Sequence, residues 1–199
     1  RVKEIKKDLN SSSIAGLRSL SGKKLIYYTN LFDGKRYGPH SSVHPIIYFE
    51  FQIKLINWLE SKGAKVILKM HPKRISNMYD PVIDRNDLNN KKLQELDIDG
   101  IIIDFPTSSL GLAISTDKPV LYFELQIRRV YEKVRQLIKD RCHYALVNIN
   151  NPQGGFDEME ADLNRDLNDN FSKVLIRTQN KNHESKEIKH LIENFTNME

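Results

Sequence analysis

The chain has 199 residues, 39% of them hydrophobic, with a formal net charge of +5 and one cysteine, Cys142. That length supports one sizeable core with a small appendage. A single cysteine excludes an internal disulfide framework and a cysteine-built metal cluster, and no apolar run approaches the roughly 18 residues of a membrane span or has the layout of a signal peptide. The expectation is a soluble, cytoplasmic chain.

Residues 1–22 form a basic, polar lead, "RVKEIKKDLNSSS…", that opens on Arg1 and reads as belonging to something longer upstream. "KKLIYYT" (23–29) is the first β-rich run, and the loop "NLFDGKRYGPHSS" behind it is full of turn residues. His40 and His44 in that region stand four apart, but a proline-bounded loop need not be helical and no carboxylate lies at matching spacing, so no metal site is expected.

From Val43 to Ser61 the residues Ile46, Phe49, Ile53, Ile56 and Leu59 recur at helical spacing, and Gly63 follows where a helix C-terminus favours glycine. "AKVILKM" (64–70) is a second buried strand, and it runs directly into "HPKR". Residues 75–96 are polar, with "KKLQELDI" suggesting a short helix. "GIIID" (100–104) is a third strand, "PTSSLGLAIST" a short helix and "KPVLYFE" (118–124) a fourth strand. After a basic helix, "YALVNI" (144–149) supplies a fifth. "NPQGG" reads as a turn, and two polar helices, about 157–178 and 184–196, complete the chain.

Strands alternating with helices imply an α/β fold, a Rossmann-like, mostly parallel sheet with helices on both faces. The expected division is a Rossmann-like nucleotide-binding domain over 23–150 and a C-terminal helical extension over 151–199.

In an open α/β sheet, ligands bind outside the carboxyl ends of the strands. His71, Lys73 and Arg74 sit behind the second strand, and Thr107, Ser108 and Ser109 open the helix behind the third. The first N–H groups of a helix lack internal partners and favour anions. Ser and Thr are also the commonest N-caps of any helix, so the two explanations stand side by side. Gly111 inside that helix calls for the close approach of a ligand or a neighbouring backbone.

"VILKMHPKR" followed by "DGIIIDFPTSSLGLAISTDKPVLYFE" resembles the carboxy-terminal half of GT-B-fold transferases that build bacterial surface polymers, the CDP-glycerol glycerophosphotransferases and related capsular polysaccharide transferases. The resemblance spans roughly residues 23–124, about half of the chain. It implies that His71 faces the phosphates of a nucleotide-activated sugar or alditol donor, which is substrate rather than cofactor, and that Ser108 and Ser109 bind the pyrophosphate. It also implies a partner absent from these residues, the N-terminal GT-B half. Asp104 is followed here by "FPTSS" where the family has "YSS", and Gly111, Leu112 and Ala113 stand where it has an acid.

His71 has three roles open to it: donor to a leaving phosphate, general base, or structural cap of the strand end. Lys73 and Arg74 are phosphate contacts or solvated cations. Glu124 at the fourth strand's end accepts from ribose hydroxyls or pairs with Arg128. Asn30, Lys35 and Arg36 are weaker ligand candidates in the loop after the first strand.

The segment 126–141 carries six cations against two anions, with Ile127, Val130, Val134, Leu137 and Ile138 as the buried stripe and the cations on the outer face. That face is a solvated surface, or it attracts the donor or an anionic membrane at the inner face of the cell. No nucleic-acid motif accompanies it. The alternatives in function are a non-catalytic nucleotide- or phosphate-binding interaction module and a GT-B-fold sugar-nucleotide epimerase.

Overall fold

A computed structural model describes residues 13–29, 43–69, 97–106, 108–127 and 130–168. In chain order they form β1 (Ser13–Ile14), β2 (Lys24–Tyr28), α1 (Pro45–Ser61), β3 (Lys65–Lys69), β4 (Gly100–Ile103), α2 (Ser108–Ile114), β5 (Val120–Glu124), α3 (Glu132–Arg141), β6 (His143–Leu146), α4 (Gln153–Asp162) and β7 (Leu167–Asn168). Five strands make one sheet in the order β3-β2-β4-β5-β6, every pair parallel. β1 and β7 pair separately and antiparallel. The expected α/β, Rossmann-like arrangement is therefore present.

The central strands β4 and β5 are buried along their whole length, as a parallel sheet covered on both faces requires. Alternate residues divide between two cores. Tyr27, Ile102, Leu121 and Phe123 meet Phe51, Leu55 and Leu59 of α1 and Phe156 and Met159 of α4. Ile26, Ile101, Ile103 and Tyr122 meet Leu110 and Ile114 of α2 and Val134 and Ile138 of α3. Helices thus cover both faces.

α1 begins where the chemistry predicts. His44 caps it, its Nδ1 accepting from the Ile46 N–H at 3.3 Å, and Pro45 occupies the first turn, where a missing N–H costs nothing. Gly63 behind it adopts φ +82°, a left-handed conformation that glycine reaches without strain. The buried stripe, however, is Tyr48, Phe51, Gln52, Leu55, Ile56, Trp58 and Leu59. Of the expected stripe, Ile56 and Leu59 are buried and Phe49 and Ile53 partly buried, whereas Ile46 is 55% exposed, and the aromatic residues Tyr48, Phe51 and Trp58 were missed. This helix is apolar around much of its circumference, and the sheet selects the face that carries the aromatic residues.

The C-terminal part departs further from the sequence pattern. "NPQGG" is no turn: α4 starts inside it at Gln153 and ends at Asp162, and β7 lies within the span expected to be helical to 178. Gly155 is in the helix because the helix lies almost on β6. A Cβ there would sit 2.6 Å from Val147 Cγ2 and 3.0 Å from the Leu146 carbonyl. α4 also covers the sheet edge, since Asp162 and Glu158 accept from the outward N–H groups of Tyr144 (3.0 Å) and Leu146 (2.9 Å). Capping that edge with carboxylates blocks strand addition.

The described part of the basic lead packs on the same domain. Leu17 and Leu20 are buried in the α1 core, and the Leu17 N–H donates to Nε2 of the buried His143 at 3.2 Å. No described helix is long and apolar enough to cross a membrane.

The basic helix needs a correction. α3 covers only Glu132–Arg141, with Val134 and Ile138 buried as expected. Arg141 is not on the outer face: it is fully buried, and its Nη2 donates to the carbonyls of Thr116 (2.7 Å) and Lys118 (3.1 Å). Lys139 places Nζ 4.7 Å from the Tyr144 ring centroid. Arg128 and Arg129 lie outside the described residues.

Candidate functional site

β2 lies between β3 and β4, so the chain's progression across the sheet reverses there. Ligands of doubly wound sheets bind outside the strand carboxyl ends at such a reversal. At this edge β2 ends in Tyr28 and is followed by Thr29, β4 ends in Ile103 and is followed by Asp104-Phe105-Pro106, α2 opens at Ser108, and β5 ends in Glu124. Ser108, Ser109 and Glu124, three of the residues singled out from sequence, therefore share one edge. Ser109 is half-buried. His71, Lys73, Arg74 and Thr107 lie outside the described residues, as do Asn30, Lys35, Arg36 and His40. β3 does run to Lys69, two residues before His71.

Asp104 is the most constrained group at this edge. It is 1% exposed, yet three polar side chains converge on its carboxylate. The hydroxyls of Tyr27 and Tyr48 both donate to it, Tyr48 at 2.7 and 2.8 Å to the two oxygens, and the Gln52 side chain acts on it from α1 in the same sense, favouring the charged form. Burial disfavours the charged form and the hydrogen bonds favour it. Burial wins, and the carboxyl is pushed up to about 6.

Glu124 is held differently. Arg135 Nε lies 3.2 and 3.0 Å from its two oxygens, Arg135 Nη2 lies 2.8 Å from one, and the Tyr144 hydroxyl donates to the other at 2.8 Å. An ionised carboxylate offers about four acceptor positions, and these contacts use them. Among the described residues its arginine partner is Arg135 on α3; Arg128, the partner expected from sequence, lies outside them. The pairing with Glu124 raises the Arg135 guanidinium above its ordinary value. Burial, followed by the Glu124 hydrogen bond, raises the Tyr144 phenol.

Between the ends of β4 and β5 is a shallow crevice lined by Asp104, Phe105, Pro106, Tyr122 and Glu124, and by Leu125–Ile127. Gln126 there adopts φ 57°, the left-handed region that side-chain-bearing residues seldom enter. The Tyr122 hydroxyl is buried without a hydrogen-bond partner among the described residues, and burial raises its pKa. Among the described residues, no three His, Cys, Asp or Glu side chains gather around a point where a metal ion would sit.

The sequence pattern did not reveal Tyr27, Tyr48, Gln52, Arg135 or Tyr144 as parts of this edge. One signal was available: Gln52 is a polar residue in the buried stripe of α1, and a polar group there needs a partner.

Gly111 has nothing within 4 Å of where its Cβ would be, among the described residues. A neighbouring backbone among them therefore does not explain it. Gly111→Ala is expected to stabilise the chain by up to about 1 kcal/mol, through helix propensity alone. Thermal melting would check this, and a destabilised variant would reveal a neighbour close to that position.

No family model, curated protein or solved structure matches the chain.

Proposed function

We propose that the chain is the donor-binding half of a GT-B-type glycosyl- or glycerophosphotransferase in bacterial surface polysaccharide biosynthesis, working at the cytoplasmic side against a nucleotide-activated sugar or alditol donor. The supporting observation is the convergence at one sheet edge: β4 runs into Asp104, α2 opens at Ser108 directly behind it, and β3 ends two residues before His71. Around a donor's diphosphate, the α2 N–H groups and the hydroxyls of Thr107, Ser108 and Ser109 would offset charge developing on the departing phosphate. His71, Lys73 and Arg74 would supply further donors. Acceptor contacts belong to a second half, in the cleft between the two.

The second reading is a non-catalytic nucleotide- or phosphate-binding module. The Glu124–Arg135–Tyr144 clamp favours it, because it gives the carboxylate at the end of β5 an architectural role in place of a ligand contact. A peripheral membrane contact has less to draw on than the charge run suggests, since Arg135 and Arg141 are engaged inside the domain.

Titration calorimetry with cytidine and uridine diphosphates tests the first reading. Weak binding that declines at high salt is expected, since one wall of the cleft and its desolvation are missing. His71→Ala should weaken it with little change in melting temperature. Transfer catalysed by these residues alone would overturn the half-enzyme reading. Failure to bind either nucleotide would overturn the nucleotide reading itself.

A further inference from the structure

We propose that Asp104 is a proton-operated lock at the carboxyl edge of the sheet, holding α1 against β2 and β4 while its carboxyl is protonated and loosening that corner when it ionises. The proposal concerns the same edge as the donor-site reading but does not rest on it.

The geometry joins three elements through one carboxyl. Tyr27 reaches it from β2, Tyr48 and Gln52 reach it from successive turns of α1, and Asp104 itself follows the last residue of β4. From β5, Tyr122 and Glu124 share the adjoining crevice with it. Asp104 is 1% exposed, so water contributes almost nothing to stabilising its charge while the corner is closed. Opening the corner would hydrate the carboxylate and return it toward its ordinary range.

The sign follows from linkage. In the closed form the carboxyl is pushed up to about 6, against an ordinary value of 3.8. Between these values the closed form binds more protons than the open form, so closure weakens as pH rises through the window and stays weaker above it. The polar groups around it, Tyr27 and Tyr48 first, act the other way, and without them the window would lie higher. At neutral pH this corner holds a buried charge that favours opening, in the part of the sheet where a ligand would enter.

Amide hydrogen exchange on the whole chain, corrected for intrinsic rates, tests this. Protection of the Tyr48–Gln52 amides should fall by up to roughly a hundredfold between pH 4 and pH 7, the ratio that a shift of about two units allows. In Asp104→Asn, which cannot ionise, the dependence should disappear. Wild-type protection that is constant or rises with pH would overturn the proposal, and so would an Asp104→Asn variant with the wild-type slope. If that variant does not fold, carbon-13 titration of the Asp104 carboxyl in the wild type and in Tyr48→Phe decides. A wild-type midpoint in the ordinary carboxylate range overturns the lock, whereas a raised midpoint that rises further in Tyr48→Phe supports it.

Discussion

Phe156→Ala is expected to destabilise the chain by about 3–5 kcal/mol, the range for removing a buried aromatic ring that cannot be replaced by collapse. Phe156 is 3% exposed and sits where α4, α1 and β5 meet. Its ring stacks on Trp58 with centroids 5.0 Å apart, lies edge-on to Phe123 at 6.2 Å and is tilted toward Phe51 at 6.3 Å. Three aromatic neighbours on two other elements cannot all close on the void, so the cavity persists. Urea denaturation should show the midpoint falling with an unchanged slope, the mark of lost stability without altered compactness. At this chain length the loss corresponds to roughly 10 °C in melting temperature. A loss under about 1 kcal/mol would mean that α4 is loosely attached and that residues from 151 onward behave as an appendage.

What could be read from the sequence followed the range of the physics involved. β4 and β5 were legible because a strand buried on both faces must be nearly continuously apolar, and "GIII" and "VLYF" are. The start and end of α1 were legible because capping is local: His44, Pro45 and Gly63 act within a few residues of themselves. Its buried stripe was legible only in part, Ile56 and Leu59 but not Tyr48, Phe51 or Trp58, because more than one face is apolar and the sheet makes the choice. α4 was misplaced because Gly154 and Gly155 look like a turn until Val147 and Leu146 are seen against the helix.

The same distinction applies at the candidate site. Ser108, Ser109 and Glu124 could be placed at this edge from sequence because strand ends and helix starts are local features. Asp104's partners could not, since Tyr27 and Tyr48 stand 77 and 56 residues away from it in the chain. Arg141 looked like one more surface cation, yet the carbonyls it serves lie 25 and 23 residues earlier. Charge counted along a segment does not reveal how much of it is already used, and α3 engages two of its cations internally.

Glu124→Gln is expected to cost about 2 kcal/mol, and to cost it through architecture. Glu124 is 2% exposed, and its four contacts join the end of β5 to α3 through Arg135 and to β6 through Tyr144. Hydrogen bonds to charged groups are worth about 1.5–3 kcal/mol, and a glutamine replaces only part of this set because its amide nitrogen cannot accept. Fully buried pairs lose 3–5 kcal/mol when broken. The Arg135 side chain keeps 26% exposure, and Glu132 holds its Nη1 at 2.6 Å, so the smaller figure applies. Arg135→Met should cost a similar amount, and the double variant less than the sum, since each single change leaves the other's partner stranded. Nucleotide recognition provides the contrasting measurement. If Glu124 accepted from a ribose, the wild type would prefer a ribonucleoside diphosphate over its 2′-deoxy counterpart and Glu124→Gln would lose that preference. With its acceptor positions filled, the ratio of the two affinities should be the same in both proteins. A preference that vanishes with the carboxylate, in a variant that melts like the wild type, would return Glu124 to the ligand.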